Sequence, residues 1–280
     1  MLTAREFQSL PAELVEADRE ARFFGSIKAA DGTFKRTIAG RLAVIDEAIV
    51  AALADAQSQV ASVLDIGISS GITALELHQA LRRAGHPARL TGTDRLIEAS
   101  ILKLFPGCRA LIDSEGFPLQ YEIGGRPVRP WTRRLDYFTG AVLPRTVLNR
   151  VLTDRIRRLR ATSPASAQPV KLVTRRLVAD DAVTVVSDDI TRLNPGFVGQ
   201  FDFVRAANIL NLHYFDGERL RTALANVRAY LKGPGAWLLV LRTHGRADHH
   251  GTLFRQQQDG SLAVTERYGG GSEVESLLMS

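Results

Sequence analysis

Residues 60–95 read VASVLDIGISSGITALELHQALRRAGHPARLTGTDR. The run at 60–67 is β-branched and apolar and ends in a glycine, which predicts a buried strand followed by a turn. Residues 72–85 place apolar side chains at helical spacing and end on Gly85, which predicts a helix with a glycine cap. Residues 88–94 form a second short strand that ends in an acidic residue. Strand, turn, helix and strand in this order make a βαβ unit, which is typical of a parallel sheet.

The strand pattern resumes in the second half of the chain. Strands are predicted over AVTVVSDDI (182–190), FDFVRAANIL (201–210) and AWLLVLRT (236–243), and a helix over GERLRTALANVRAYLKG (217–233). Two last strands joined by QDGS predict a hairpin within residues 252–268. The sequence therefore predicts an α/β fold, a doubly wound and mostly parallel sheet of seven strands with an antiparallel C-terminal hairpin.

The composition indicates the class of protein and its compartment. The chain has 280 residues, 45% hydrophobic and 24% charged, which are globular values and suit one α/β domain with an appendage. A single cysteine, Cys108, excludes an intramolecular disulfide framework and a multi-cysteine zinc site. No apolar run approaches the roughly 18 residues of a membrane span, and the charged N-terminus is unlike a secretory signal. The expected compartment is the cytoplasm, and peripheral attachment to a membrane is left open.

Positive charge is concentrated in one segment. The formal net charge is +6, and residues 103–178 alone carry 15 Lys and Arg against 5 Asp and Glu. Such a block indicates contact with an anionic molecule. It lies between the second and third predicted strands, so we interpret it as an α+β insertion that recognises the substrate. The predicted domains are a helical N-terminal cap or lid over residues 1–58 and a main domain over residues 59–280 that contains this insertion.

The turn after the first strand reads DIGISSG, from Asp65 to Gly71. Glycines there let a nucleotide-like ligand approach the backbone because no Cβ intrudes, and the following helix offers free N–H groups. The dinucleotide fingerprint G-x-G-x-x-G is not met, because Ser69 stands where its second glycine would be. A pyrophosphate site is therefore disfavoured, and instead an acidic residue stands two positions before Gly67.

Acidic residues also end the next two strands. Asp94 ends the second strand, where a carboxylate can accept hydrogen bonds from both hydroxyls of a ribose. Asp188 and Asp189 end the third strand, where a carboxylate can accept from an adenine amino group. A single aspartate at a strand end is about as often a turn or helix cap as a ligand. Acidic residues at three successive strand ends, one of them beside a glycine turn, favour a ligand site.

Together these segments resemble one family. VLDIGISSG, TGTD, VVSDDI, FDFVRAANILNLHYF and VRAYLKGPGAWLLVLRT, within residues 60–95 and 182–243, are similar in order and spacing to the motifs of class I S-adenosylmethionine-dependent methyltransferases. The family's first motif has the form D-x-G-x-G-x-G, and this chain departs from it at Ser69. The resemblance implies a Rossmann-like methyltransferase that binds S-adenosylmethionine (SAM) and releases S-adenosylhomocysteine (SAH).

The resemblance also assigns residues to the cofactor. Gly67 and its neighbours would cradle the methionine part, and Asp94 would hold the ribose. Asp189 with Ile190 would flank the adenine, and Asn208 would line the pocket near the sulfonium. The full predicted cofactor set is Asp65, Gly67, Ser69, Gly71, Asp94, Arg95, Asp188, Asp189, Ile190 and Asn208.

Side chains after the fourth and fifth strands are candidates for chemistry. Methyl transfer needs mainly alignment of donor and acceptor, and it needs a base only if the acceptor must lose a proton. His213 and Tyr214 follow the fourth strand, where open α/β sheets place substrates, and we predict that they are catalytic, with His213 as base or acceptor-orienting group. A structural histidine in the loop is the alternative. His244 is predicted to contact substrate, and His249 with His250 lack a suitably spaced third ligand, so no metal is expected.

The insertion contains a hairpin signal at Gly124-Gly125 and a basic amphipathic helix over residues 144–160. The helix has an apolar face predicted from Val147, Leu148, Val151, Leu152, Ile156 and Leu159, and a basic face from Arg145, Arg150, Arg155, Arg157, Arg158 and Arg160. Such a basic face is either solvated or in contact with nucleic acid or an anionic membrane surface. Trp131 and Tyr137 are predicted to supply apolar walls for the substrate.

The sequence thus predicts an enzyme, a SAM-dependent methyltransferase acting on an O or N atom of a small-molecule acceptor, with anionic and lipid-like compounds included. The N/D-P-P-Y/F signature of nucleic-acid amino methyltransferases is missing from NILNLHYF (208–215), which favours a metabolite. Two alternatives stay open. One is an RNA or protein methyltransferase that holds its substrate with the basic insertion. The other is a non-catalytic cofactor-binding partner protein that keeps the fold.

Overall fold

The computed structural model describes residues 1–163, 166–212, 215–245 and 247–279. The chain forms two compact units, each built from two separate stretches of sequence. Unit 1 comprises Met1–Thr37 and Leu96–Arg176, and unit 2 comprises Ile38–Arg95 and Leu177–Ser280. None of the described helices is long and apolar enough to cross a membrane.

The described residues form strands and helices with the following bounds. The strands are β1 (Ser62–Ile66), β2 (Arg89–Asp94), β3 (Glu98–Phe105), β4 (Cys108–Asp113), β5 (Pro118–Ile123), β6 (Arg126–Val128), β7 (Ala167–Lys171), β8 (Val183–Ser187), β9 (Phe203–Ala207), β10 (Trp237–His244), β11 (Asp248–Gln256) and β12 (Leu262–Tyr268). The helices are α1 (Ala4–Ser9), α2 (Ala17–Phe24), α3 (Ala43–Asp55), α4 (Ile72–Arg83), α5 (Arg134–Phe138), α6 (Val142–Thr162), α7 (Arg175–Val178), α8 (Gly217–Tyr230) and α9 (Glu275–Met279). Short 3-10 turns lie at Ala12–Leu14 and Pro195–Phe197.

Unit 2 contains the predicted α/β sheet. Its seven strands lie in the order β12-β11-β10-β9-β1-β2-β8. The pairs β1 with β2, β2 with β8, β1 with β9 and β9 with β10 are parallel, whereas β10 with β11 and β11 with β12 are antiparallel. The doubly wound, mostly parallel Rossmann-like sheet with an antiparallel C-terminal hairpin is therefore confirmed.

Helices α4 and α8 of unit 2 begin after residues that are typical of helix starts. Gly71, in the left-handed region at φ 80°, precedes α4, and the Asp216 side chain accepts a hydrogen bond from the Arg219 backbone N–H to cap α8. Helix α8 then buries Leu220, Leu224 and further apolar residues against the sheet strands β1, β9 and β10. Burying such a face is the main stabilisation of an amphipathic helix in a protein.

Unit 1 contains a second, antiparallel sheet in the order β6-β5-β4-β3-β7. Because successive side chains of a strand point to opposite faces, neighbours in β3 enter two separate cores. Ile101 packs with the N-terminal helices around Phe7 and Phe23, whereas Leu102 packs with Leu152 of α6. The predicted hairpin at Gly124-Gly125 is the β5–β6 pair.

The structure corrects the predicted apolar face of α6. Leu148, Leu152, Ile156 and Leu159 belong to the hydrophobic cluster on this side of the sheet, as expected. Val147 and Val151, which were also assigned to that face, are 63% and 54% exposed. The packed stripe is narrower than the apolar pattern suggested, since tertiary contacts and not periodicity alone decide which side of a helix is buried.

The arginines of the predicted basic face of α6 fall into two groups, those that bind backbone carbonyls and those that do not. The guanidinium groups of Arg145, Arg155 and Arg160 donate hydrogen bonds to the backbone carbonyls of Arg129, Leu104 and Glu115. The long aliphatic stem of arginine lets its charged end reach such carbonyls from a position beside the packed stripe. Arg150, Arg157 and Arg158 are the remaining three, and they are exposed.

The boundaries of the two units differ from the predicted domains. Residues 1–37 group with the inserted block rather than forming a cap that extends to residue 58, and the inserted block begins at Leu96 rather than at about residue 103. Helix α3 belongs to unit 2 and contacts α4. The insertion has the predicted α+β character, but three of its strands, β3, β4 and β7, were not predicted.

Candidate functional site

The candidate site lies at the carboxyl edge of the unit 2 sheet. From β1 the chain proceeds to β2 and β8 on one side, and later to β9 and β10 on the other. The point where the strand order reverses is therefore between β1 and β9. In open α/β sheets the connections diverge there and leave a crevice that binds ligands.

The glycine turn after β1 is fixed to the end of β2. The backbone N–H groups of Gly67 and Ile68 both donate to the Thr93 carbonyl, at 2.8 and 3.0 Å. Gly67, Ser69 and Gly71 all have positive φ, of 74°, 53° and 80°. Ser69 adopts this left-handed conformation without being a glycine, which costs backbone strain and is typical of loops that serve a function.

Gly67 cannot be replaced by a larger residue without a shift. A Cβ built on Gly67 would lie 2.9 Å from Cδ1 of Ile209, in the loop after β9. The turn after β1 and the loop after β9 are thus in close contact at the switch point. The first glycine of the motif is required by this contact and by its positive φ.

Asp94, the predicted ribose ligand, lies beside the glycine turn. Its Oδ2 accepts a hydrogen bond of 2.8 Å from the backbone N–H of Ser69. Asp94 is half-buried. The structure therefore brings together the end of β2 and the middle of the glycine turn, two features that the sequence analysis assigned to one ligand.

Asp65 is part of a buried ion-pair network. Its two carboxylate oxygens accept hydrogen bonds from Nε and Nη2 of Arg205, at 2.9 and 2.6 Å. Arg205 also donates to Oδ1 of Asp46 at 2.8 Å and to the Thr73 carbonyl at 2.8 Å. Arg205 is fully buried. Asp65 was predicted to contact the cofactor, and that role stays a prediction, because the contacts described for its carboxylate are those with Arg205.

One guanidinium faces two carboxylates in this network, so the network has one negative charge in excess. Asp46 is the carboxyl whose pKa responds to this excess. Burial raises the pKa of Asp46 to about 7, the neighbouring Asp65 charge adds to the rise, and Arg205 opposes it. Oδ2 of Asp46 is buried and makes no hydrogen bond within the described part of the chain. At neutral pH the folded protein therefore holds a proton on Asp46 about half of the time.

We expect an Asp46→Asn variant to lose the pH dependence that this proton causes. The ordinary Asp pKa is 3.8, so the unfolded chain is deprotonated at this position near neutral pH, whereas the folded protein still binds the proton below about pH 7. Raising the pH from about 6 to about 8 should therefore cost wild type about 1.4 kcal/mol of unfolding free energy relative to Asp46→Asn. Urea unfolding of both proteins across this pH range measures it. Glu47→Gln, which removes an exposed carboxylate from the same helix, should leave the wild-type pH dependence unchanged.

The aspartates after β8 are held in different ways. Oδ1 of Asp188 accepts a 3.1 Å hydrogen bond from Nδ2 of Asn194, but burial outweighs this bond and raises the pKa of Asp188. Oδ1 of Asp189 accepts from the backbone N–H and the hydroxyl of Thr191. Burial favours the neutral form of Asp189, but these bonds and the charge of Arg95, 3.8 Å away, lower its pKa overall. The pKa of Asp189 is thus shifted down and that of Asp188 up.

Two buried polar atoms near the switch point lack partners among the described residues. They are Oγ of Ser70, in the glycine turn, and Nδ2 of Asn208, directly after β9. Asn208 has φ 64°, and its side-chain oxygen accepts from the Thr243 backbone N–H at 2.6 Å. Buried polar groups are nearly always paired, so an unpaired donor beside a crevice indicates a ligand partner.

Of the remaining predicted residues of unit 2, Ile190 and His244 are described and His213 and Tyr214 are not. Ile190 is buried in the sheet core. His244 is exposed, and its ring meets that of His250 edge to face at 5.3 Å. His213 and Tyr214, the predicted catalytic pair, lie outside the described residues. Among the residues that are described, no group of three or more His, Cys, Asp or Glu is placed to hold a metal ion.

Trp131 lies at a cavity inside unit 1. Its Nε1 donates to the Ser26 carbonyl at 3.0 Å. The cavity has a volume of about 260 Å³ and is lined by Lys28, Phe117, Pro118, Pro130, Trp131, Asn149 and Thr153. Tyr137, the second predicted wall residue, is 67% exposed and does not line this cavity.

The roles of Arg205 and Asp46 were not predicted from the sequence. A signal for each was present: Arg205 interrupts an apolar strand, FVRAA, and Asp46 interrupts the apolar face of α3. A charge at a buried position needs a partner, so each residue predicts an opposite charge nearby. Which residue supplies that partner is set by the fold, because Arg205 lies 159 positions from Asp46 and 140 from Asp65.

Comparisons with known proteins give distant structural likenesses. No protein-family profile matches the chain, and no curated protein matches it significantly. The N-methyltransferase NodS from Bradyrhizobium japonicum WM9, solved with SAH, is 15% identical at a TM-score of 0.33, over 72% of this chain and 61% of that one. The CMeT domain of the citrinin polyketide synthase is 15% identical at a TM-score of 0.34, over 68% of this chain and 30% of that one. An O-methyltransferase family protein from Burkholderia thailandensis is 13% identical at a TM-score of 0.33, over 71% and 37%.

The chain thus spans less than two thirds of the length of all three structures. At these identities and TM-scores, the likenesses by themselves assign neither an activity nor a substrate to this chain.

Proposed function

We propose that this chain is a SAM-dependent methyltransferase that transfers a methyl group to an O or N atom of a small-molecule acceptor. One observation carries the proposal. At the switch point of a doubly wound sheet, the carboxylate of Asp94 and the glycine turn after β1 lie together, joined by the Ser69 N–H. A carboxylate at the end of the second strand beside such a turn suits the ribose of a nucleoside-containing cofactor.

The other residues of the crevice fit SAM. The unpaired Oγ of Ser70 and Nδ2 of Asn208 offer a hydroxyl and an amide donor to a polar ligand. Asp189, whose pKa is lowered, offers a charged acceptor for an adenine amino group, and Asp188 lies next to it. The middle of the glycine turn lacks a second glycine, which disfavours a pyrophosphate and is compatible with SAM, since SAM has none.

Asp65 is proposed to act through position rather than through direct contact. Its ion pair with Arg205 ties the end of β1 to β9. This ion pair holds the glycine turn next to the loop after β9. The close approach of Ile209 in that loop leaves no space for a Cβ on Gly67. The acidic residue of the motif is then a support for the turn.

Bound SAM would supply a methyl group that its sulfonium already activates. The chain has to orient the acceptor, exclude water and, where the acceptor carries a proton, remove it. We assign proton removal or acceptor orientation to His213, with Tyr214 beside it in sequence. Acceptor contact stays a prediction for Trp131 and His244, whereas Tyr137 is exposed and does not line the cavity beside Trp131. The proposed compartment is the cytoplasm.

Transfer of labelled methyl from SAM to cell extract fractions tests this proposal. Purified protein should label a small-molecule fraction, and His213→Ala should reduce turnover by about 100-fold, the usual contribution of a general base. Gln258→Ala, which changes an exposed polar residue between β11 and β12, should leave turnover unchanged. Label found only in RNA or protein would replace the small-molecule acceptor by a macromolecule. Binding of SAM without label in any fraction would favour a non-catalytic cofactor-binding protein.

A further inference from the structure

Unit 1 exposes an apolar surface of unusual composition on α5 and α6. We define the apolar patch as six residues with exposed fractions of 54–87%: Leu135, Tyr137, Phe138, Leu143, Val147 and Val151. Leu143, Val147 and Val151 follow one another at four-residue spacing and so lie along one side of α6. Single exposed apolar residues are ordinary, but six within two consecutive helices indicate a surface that is covered in use.

Positive charge surrounds this patch. Residues 133–162 contain eight arginines and two aspartates. Three of the arginines donate to backbone carbonyls, and the other five are all exposed: Arg133, Arg134, Arg150, Arg157 and Arg158. The two aspartates are engaged within the unit, Asp136 with Arg145 at 3.4 Å and Asp154 with Arg157 at 3.0 Å. The patch therefore presents apolar side chains within a cationic rim.

We propose that α5 and α6 dock unit 1 on an anionic lipid bilayer surface. Aliphatic side chains enter the boundary of the acyl chains, Tyr and Phe lie at the headgroup level, and arginines contact lipid phosphates. A nucleic acid would use the arginines but would leave Leu143, Val147 and Val151 without an apolar partner. The combination of an apolar stripe and a cationic rim is what selects a bilayer. The proposal is independent of the enzymatic one, because its test needs no activity.

Co-sedimentation with vesicles tests the proposal on the full chain. Vesicles of phosphatidylcholine and phosphatidylglycerol in equal parts should bind the protein at least about tenfold more strongly than phosphatidylcholine alone, and high salt should reduce the difference. Leu143→Ser combined with Val147→Ser should weaken binding to the mixed vesicles by about tenfold or more. Both residues are exposed, so the variant should fold as wild type does.

Matched control variants distinguish binding through the patch from nonspecific binding to vesicles. Val44→Ser removes an apolar side chain that is 70% exposed on α3 of unit 2, and binding should not change. Arg150→Gln with Arg158→Gln should weaken binding, whereas Arg83→Gln with Arg221→Gln, exposed arginines of unit 2, should not.

Four results would overturn the proposal. One is an absence of vesicle binding, and another is vesicle binding that the Leu143 and Val147 substitutions leave unchanged. The third is self-association in sedimentation velocity that these substitutions abolish while vesicles do not bind, since the patch would then be covered by a second copy of the chain. RNA binding that depends on Arg150 and Arg158 but not on Leu143, without vesicle binding, would assign the surface to nucleic acid.

Discussion

The Arg205→Met variant is expected to lose about 3–5 kcal/mol of unfolding free energy, the usual cost of removing one partner from a buried ion pair. Arg205 is fully buried and is the guanidinium that faces Asp46 and Asp65. Without it, two carboxylates stay buried next to each other with their main hydrogen-bond donor gone. A methionine fills much of the same volume, so the loss reports charge rather than packing. Urea unfolding at about pH 7 measures the difference.

Two further variants identify the cause. Arg242→Met breaks an ion pair with Glu273 that is partly exposed, and it should cost at most about 1 kcal/mol. Adding Asp46→Asn and Asp65→Asn to Arg205→Met removes the stranded charges and should recover part of the loss. An Arg205→Met protein as stable as Arg242→Met would show that the network contributes little. Native domains unfold with free energies from about 5 kcal/mol upward, so a loss of about 3–5 kcal/mol is more than half of the stability of a domain at that lower limit.

The Asp94→Ala variant is expected to bind SAH about 100-fold more weakly than wild type, which corresponds to about 2.7 kcal/mol. The proposal gives this carboxylate two ribose hydroxyls, and a hydrogen bond to a charged group contributes about 1.5–3 kcal/mol. Asp94→Asn keeps one acceptor oxygen without the charge and should lie between the two. Calorimetric titration with SAH measures all three proteins.

Asp94 also accepts a hydrogen bond from the Ser69 N–H, and Asp94→Ala removes this bond as well. A control variant must therefore show whether losing a bond to the backbone by itself lowers SAH affinity. Asp216→Ala removes an aspartate that likewise accepts a backbone hydrogen bond, from Arg219 at 2.9 Å, at the start of α8. It should cost about 1 kcal/mol of stability as a lost helix cap while SAH affinity stays as in wild type. If Asp94→Ala bound SAH as tightly as wild type, the ribose assignment would be wrong.

The sheet of unit 2 could be predicted because its signals are local. Each strand is a short apolar run bounded by a turn, and the glycine turn after β1 together with the following helix fixes a βαβ unit. The strands of unit 1 were harder. Strand β7 contains Pro169 and has four of its five residues at least partly exposed, so its sequence, AQPVK, carries almost no strand pattern. It is a strand because β3 offers an edge to pair with.

The candidate site was predictable only in outline. Asp94 and the glycine turn were found because strand ends and glycines are visible in sequence, and the structure places them in contact. The Arg205 network was not found, since its members are brought together by the folded sheet. The predicted apolar face of α6 was partly wrong for a similar reason. Val147 and Leu148 are equally apolar, and only the position of the neighbouring sheet decides that Leu148 is packed and Val147 exposed.

Calorimetric titration of the wild-type chain with SAM and, separately, with SAH measures whether the proposed cofactor binds. Both compounds should bind, with Kd on the order of micromolar, about 8 kcal/mol of binding free energy. A change in the unfolding temperature on adding either compound should accompany binding, because a ligand that binds only the folded state stabilises it. Protein that unfolds cooperatively but binds neither compound by either readout would contradict the claim that the crevice between β1 and β9 is a SAM site.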